Sequence, residues 1–236
     1  MKMPPMSKYI ISILFFSVSF FTISQETKVE EEVEDVYKDR YGIRLGIDLA
    51  QPIYTLFDDS KKGLEIVADY RVTKIIYAAA ELGYNDVTTY EDYFNFTTNG
   101  SYIRLGADVN VYKNWIGMEN MILVGLRYGF SVFDQTLNQG IINADPFLPE
   151  EELPDPVTYN GLTASWFSLV LGIKAEVLHN LFLGFSFSGN VLLSSKEPEN
   201  FNNLFIPGFN RVYVNGNGFS FNYTVSYLIP FYKKAN

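Results

Sequence analysis

The sequence predicts an all-β fold: an eight-stranded antiparallel up-and-down transmembrane β-barrel with short periplasmic turns and long extracellular loops. Three observations predict it. Large apolar residues alternate with small or charged ones in eight segments, and successive side chains of a strand point to opposite faces. The connections between those segments alternate between short and long, as in outer-membrane barrels. The polar faces are built from Gly, Ser, Asn and Ala with single charges, whereas a soluble barrel presents Lys and Glu in quantity.

Residues 1–24 read as a cleaved signal peptide. Lys2 and Lys8 supply its positive start, Tyr9 to Ile23 its apolar stretch, and Thr22 and Ser24 the small residues before a cleavage site at Gln25. The apolar stretch is shorter than the ~20 residues of a spanning helix. Residues 25–39 follow as an acidic, solvated tether carrying Glu30, Glu31, Glu32, Glu34 and Asp35. Residues 40–236 form the barrel.

The first strand is expected over Tyr41–Ala50, with Arg44 and Asp48 on its polar face. The second covers Leu64–Arg71, with Glu65 and Asp69, and the third Ile75–Tyr84, with Glu81 among alanines. The fourth, Tyr102–Tyr112, sets Arg104 and Asp108 opposite Ile103, Leu105 and Val109. The fifth, Met121–Phe133, sets Gly125, Arg127 and Gly129 opposite Val124, Leu126, Tyr128 and Phe130. The sixth, Trp166–Val177, places Ser168, Gly172, Lys174 and Glu176 inside, and the seventh, Leu181–Leu193, does the same with Gly184, Ser186, Ser188 and Asn190. The eighth alternates Phe219, Phe221, Tyr223, Val225, Tyr227, Ile229 and Phe231 with Ser220, Asn222, Thr224, Ser226, Leu228 and Pro230. Short turns join strands at 72–74, 114–120 and 178–180. Residues 53–63, 85–101, 134–165 and 194–218 are expected to be loops. An even strand number leaves both termini on the turn side.

The apolar face would be an insoluble liability in water, so it is expected to meet lipid. A narrow interior then holds small residues between charges that pair across it. The expected lumen charge network is Arg44, Asp48, Glu65, Asp69, Glu81, Arg104, Asp108, Arg127, Lys174 and Glu176. Its carboxylates could in principle split their pKa values for acid–base work, but a structural ion-pair plug is the stronger reading.

Composition narrows the function classes. The net charge of −9 offers no basic stripe for nucleic acid. Cysteine is absent, which excludes a disulfide framework, thiolate metal sites and a lipoprotein acyl anchor. The one histidine, His179, falls in a short turn, so a Ser/His site and His-based metal binding lack ligands. The loop carrying Asp145, Glu150, Glu151, Glu152 and Asp155 among prolines lacks calcium-loop spacing and reads as stiff and solvated. The segment Glu197–Arg211 is apolar for a loop. Phe201, Leu204, Phe205, Ile206 and Phe209 are its candidate contacts, either with a partner or with the barrel mouth as a packed lid.

Four segments resemble an uncharacterised domain-of-unknown-function family of Bacteroidota outer-membrane β-barrel proteins. They are NFTTNGSYIRLG (Asn95–Gly106), NWIGMENMILVGLRYGFS (Asn114–Ser131), KEPENFNNLFIPGFNR (Lys196–Arg211) and SYLIPFYKK (Ser226–Lys234). With the first strand they cover most of the mature chain. The resemblance implies an outer-membrane location and a Gram-negative source, and brings no activity and no functional residues. One departure from general barrel practice is the end of the chain. Phe231 and Tyr232 are followed by Lys233-Lys234-Ala235-Asn236, where a terminal aromatic is the usual insertion signal.

The expected function is therefore structural, or binding through the loops, with no enzyme activity and no cofactor. Expected partners are outer-membrane lipid, the barrel-insertion machinery during assembly, and a protein or small molecule of unknown identity at the extracellular loops. The alternatives are a narrow channel or solute-uptake barrel, and a soluble periplasmic ligand-binding barrel.

Overall fold

The computed structural model describes residues 38–91, 94–114, 118–140, 156–198 and 202–235. The expected leader, nearly all of the tether, the acidic loop Asp145–Asp155 and Phe201 lie outside the described residues.

The chain is all-β. Strands β1 (Lys38–Asp48), β2 (Lys61–Arg71), β3 (Ile76–Tyr90), β4 (Phe94–Asn110), β5 (Met121–Gly140), β6 (Val157–Leu178) and β7 (Leu181–Ser195) follow one another. The two-residue strands β8 (Phe205–Ile206) and β9 (Asn210–Arg211) precede β10 (Asn217–Ala235), and one helix, α1 (Ala50–Phe57), separates β1 from β2. The long strands form one closed ring of eight, in the order β1-β10-β7-β6-β5-β4-β3-β2. All neighbours are antiparallel, and Lys38 pairs with Ala235, so both ends of the ring lie at the end where the short turns are. β8 and β9 make a separate hairpin.

The alternation sets the two faces. On β5, Ile122, Val124, Leu126, Tyr128, Phe130 and Val132 stand exposed on the outer wall, and Leu123, Gly125, Arg127, Gly129 and Ser131 are buried inside. The same holds on β10, where Phe219, Phe221, Tyr223, Tyr227, Ile229 and Phe231 face outward. Arg104 and Asp108 are both 2% exposed in the interior, whereas Phe185, Phe187, Phe221 and Tyr223 are exposed on the wall. The uncharged outward run Ile122–Val132 rises about 25 Å, at ~3.3 Å per residue and a ~40° tilt.

The strands are longer than the alternation suggested. Most of the expected loop at 85–101 is paired strand: β3 runs to Tyr90 and β4 starts at Phe94, Thr89 pairs with Phe96, and the Thr88 and Thr97 hydroxyls lie 2.8 Å apart. β5 likewise runs to Gly140 and β6 starts at Val157. Threonine and aromatic residues suit a pleated surface even where alternation in hydrophobicity fades. The connection between β1 and β2 also differs. Ala50, expected in the strand, starts α1, because the Asp48 carboxylate accepts from the Ala50 amide at 3.0 Å and turns the chain. Lys38 and Asp39, expected in the tether, belong to β1.

Candidate functional site

The interior of the ring is filled in layers, and its middle layer is a chain of ion pairs. Glu65 on β2 meets Arg104 on β4 at 2.7 Å, and Arg104 Nε lies 2.6 Å from Glu81 on β3. Glu81 reaches Arg127 on β5 at 3.3 Å. Arg127 closes on Asp108 with two parallel bonds, of 2.8 and 2.9 Å. The Tyr102 hydroxyl donates to Glu65, and Asn222 on β10 donates to Glu65 at 2.6 Å and to Asp48 at 3.1 Å. Such bidentate and multiply bonded pairs suit buried charges, which need partners to be tolerated.

Towards the turns, Arg44 donates to both oxygens of Asp69, at 2.7 to 3.1 Å, and Lys174 reaches Asp69 from the opposite wall at 2.5 Å. The Arg44 guanidinium lies 4.5 Å from the centroid of the Phe182 ring. At the turn end Arg40 bridges Glu176 (2.6 Å) and Glu119 (3.4 Å), while Arg71 bridges Asp39 (3.0 Å) and Glu119 (3.4 Å). Asn180, in the β6–β7 turn at φ 65°, accepts from Arg40 at 2.6 Å. A cavity of about 40 Å³ lies among Glu65, Asp69, Glu81, Asp108, Arg127 and Lys174. That is room for about a water molecule.

All ten charges expected from the sequence face the interior. Nine are ion-paired; Asp48 takes a different role. Its donors are the neutral amides of Ala50 and Tyr223 and the Asn222 side chain. It fastens α1 and β10 to the end of β1. The reading missed Asp39, Arg40 and Glu119, which sit just before the first expected strand and in a turn, where alternation gives no parity, and it missed Arg71 although this shares the parity of Asp69 at the end of the second strand. Tyr102 and Asn222 carried a usable signal: each shares the parity of an interior residue two positions away. Among the described residues the interior and turn-end network holds six cations, Arg40, Arg44, Arg71, Arg104, Arg127 and Lys174. Eight carboxylates face them, Asp39, Asp48, Glu65, Asp69, Glu81, Asp108, Glu119 and Glu176.

The loop end is closed differently. Ile206 and Phe209 of the β8–β9 hairpin are fully buried against Tyr102, Phe133, Leu162, Ala164 and Trp166. The Phe209 ring meets the Trp166 indole edge-on at 5.8 Å. A Cβ at Gly129 would overlap that indole, so glycine is what admits Trp166 to the interior. Gly208 turns the hairpin at φ 78° and donates its amide to Asn85 at 3.1 Å. Asn190 and Gln135 donate to the Phe209 and Phe205 carbonyls. The hairpin is thus a lid packed into the mouth. Of the two readings of this segment, the packed lid is the one Ile206 and Phe209 take, being buried in the mouth, while Leu204 and Phe205 stay half-buried.

Outside the ring, Asp58 follows α1 at the loop end. The Ser60 hydroxyl and amide both donate to its carboxyl, holding it below the ordinary carboxylate range. His179 is exposed in the β6–β7 turn and borders an open hollow with Arg40, Glu119 and Lys233. Among the described residues no group of three or more His, Asp or Glu is placed to hold a metal ion. No described helix is long and apolar enough to cross a membrane, which says nothing of crossing by strands.

Residues 6–234 match DUF6048, a domain of unknown function. The chain belongs to the DUF6048 family. No curated protein and no solved structure matches it. What this DUF6048 chain can do chemically follows from these interior contacts: nine of the ten charges expected from the sequence are ion-paired, and the hairpin packs into the mouth.

Proposed function

We propose that the chain is a small outer-membrane β-barrel with a filled polar lumen, serving a structural role or binding through its loops. The outer wall carries this reading. Leu126 is 63% exposed, Leu169 52% and Phe219 55%, and the ring of such residues has no charge between the level of Lys62, Asp86 and Asp134 and that of the turns. A contiguous apolar band of this extent is unfavourable in water and fits the ~25 Å hydrocarbon zone that transmembrane barrels present. A water-soluble ligand carrier would show the opposite arrangement, with its apolar face around the ligand.

On this reading residues 1–24 are a cleaved leader, and the short turns face the periplasm. The source is a Gram-negative bacterium, of the Bacteroidota as the family resemblance implies. Lipid and the insertion machinery are the chain's obligatory partners, and it is not an enzyme. The channel alternative is disfavoured by the lumen filling.

Membrane fractionation with gel migration tests the placement. The expected result is recovery in the outer-membrane fraction and faster migration before boiling than after. Extraction into detergent-free buffer with unchanged mobility would refute it.

A further inference from the structure

The wall of the ring has a notch. β1 leaves its neighbours early, because the chain turns into α1 after Asp48. Its last partner on β10 is Thr224, with one further bond from the Leu49 amide to the Tyr223 carbonyl, and its last partner on β2 is Ile66. From Asn222 towards the loop end β10 has no β1 strand beside it, and Lys61–Glu65 of β2 are paired on the β3 side alone. α1 lies in this gap, packed along β2 and only lightly against β10. The gap's polar floor is Asn222, bridging Asp48 and Glu65.

Towards the loop end, lined by Gln51 of α1, Lys61 of β2 and Phe221 of β10 among others, is a cleft of about 520 Å³, a volume ordinary for a small-molecule site. Its lining has two characters. Phe221, Phe205, Leu204 and Val87 are apolar, and Phe221 belongs to the outer wall while Val87 belongs to the interior. The cleft therefore runs from the wall inward through the notch. Its outer rim is polar: Arg211 pairs with Glu91 at 3.0 Å, Lys61 pairs with Asp58 at 3.3 Å, and Thr88, Thr89 and Asn210 add hydroxyls and an amide. The exposed face of α1, Ile53, Leu56 and Phe57 at helical spacing, continues the apolar wall beside it.

We propose that this notch is a lateral binding site for a membrane amphiphile. The acyl tail enters from the wall past Phe221 to reach Phe205 and Leu204, and an uncharged or zwitterionic head sits among Arg211, Glu91, Lys61 and the threonines. The head is assigned as uncharged or zwitterionic because each cation at the rim has a carboxylate beside it. This site rests on the membrane-barrel reading above.

Photolabelling separates the two ideas. The full chain is reconstituted in phosphatidylethanolamine vesicles containing a trace of the same lipid with a diazirine near the tail end, irradiated, and mapped by peptide mass spectrometry. The expected result is label on the wall, at residues such as Leu126 and Phe185, and also on Phe205 and Leu204, which are off the wall. Label on the wall without label at Phe205 or Leu204 would overturn the lateral site and leave the membrane reading intact. No label on the wall would overturn both. Filling the cleft with Thr89→Trp is expected to cut label at Phe205 at least tenfold with wall labelling unchanged, and undiminished label at Phe205 would count against the site. If that variant lacks heat-modifiable migration, Thr88→Trp, also in the cleft lining, takes its place.

Discussion

The middle of the ring and its mouth are filled by opposite means. In the middle, the wall strands supply the filling themselves, as Glu65, Glu81, Arg104, Arg127 and Asp108 reach across and satisfy one another. At the mouth, the wall supplies Tyr102, Phe133, Leu162 and Trp166, and a loop returns to bring Ile206 and Phe209. The difference follows from where the filling atoms come from. Charges on long flexible side chains span a narrow interior, whereas an apolar layer closes only when enough carbon volume arrives, and here a hairpin delivers it. The middle is therefore sensitive to single charges and the mouth to volume.

The sharpest way to break the middle is Arg104→Met. It leaves Glu65 and Glu81 facing each other without their shared cation, and removing one partner of a buried pair costs about 3–5 kcal/mol. Urea unfolding followed by gel migration should register it. Adding Glu65→Gln and Glu81→Gln to Arg104→Met should recover much of the loss, and no recovery would show that the charges are not what matters there.

For the mouth, Trp166→Ala should cost about 3–5 kcal/mol by the same measurement, since it removes the largest fully buried side chain among the described residues. Charge-neutralising changes nearby should leave that cost untouched. If Trp166→Ala were neutral, the apolar layer would not be packed as described.

The two fillings also make separate barriers to ions. Replacing 205–211 by a short Gly-Ser linker should leave migration heat-modifiable and planar-bilayer recordings free of single-channel steps, because the ion-pair layer lies below the hairpin. Steps in the shortened protein alone would mean that the hairpin is the sole barrier. Steps in the unaltered protein would instead favour the channel alternative.

The smallest effects belong to the exposed rim. Arg211→Ala breaks an ion pair open to solvent and should change stability by less than about 0.5 kcal/mol. The Asp58 carboxyl should titrate below an ordinary aspartate by NMR, and return towards the ordinary value in Ser60→Ala. Since its folded pKa is lowered, the turn is favoured above the ordinary carboxylate range and loses that contribution as pH falls through the lowered value.

By itself the sequence determined which residues face in and which face out. Side-chain parity along a strand is a local property, so Arg104, Asp108, Phe185 and Tyr223 could be assigned without any knowledge of their neighbours. Strand number and the placing of both ends of the ring at the turn end followed from the same pattern and from connection length. Only the tertiary structure decided who meets whom: that Lys174 reaches Asp69 across the interior, that Asp48 holds a helix and a strand instead of a cation, and that Ile206 and Phe209 fold inward. Those outcomes depend on register, on the tilt that brings distant strands opposite one another, and on how much empty volume the wall leaves at the mouth. None of these is encoded in a run of ten residues.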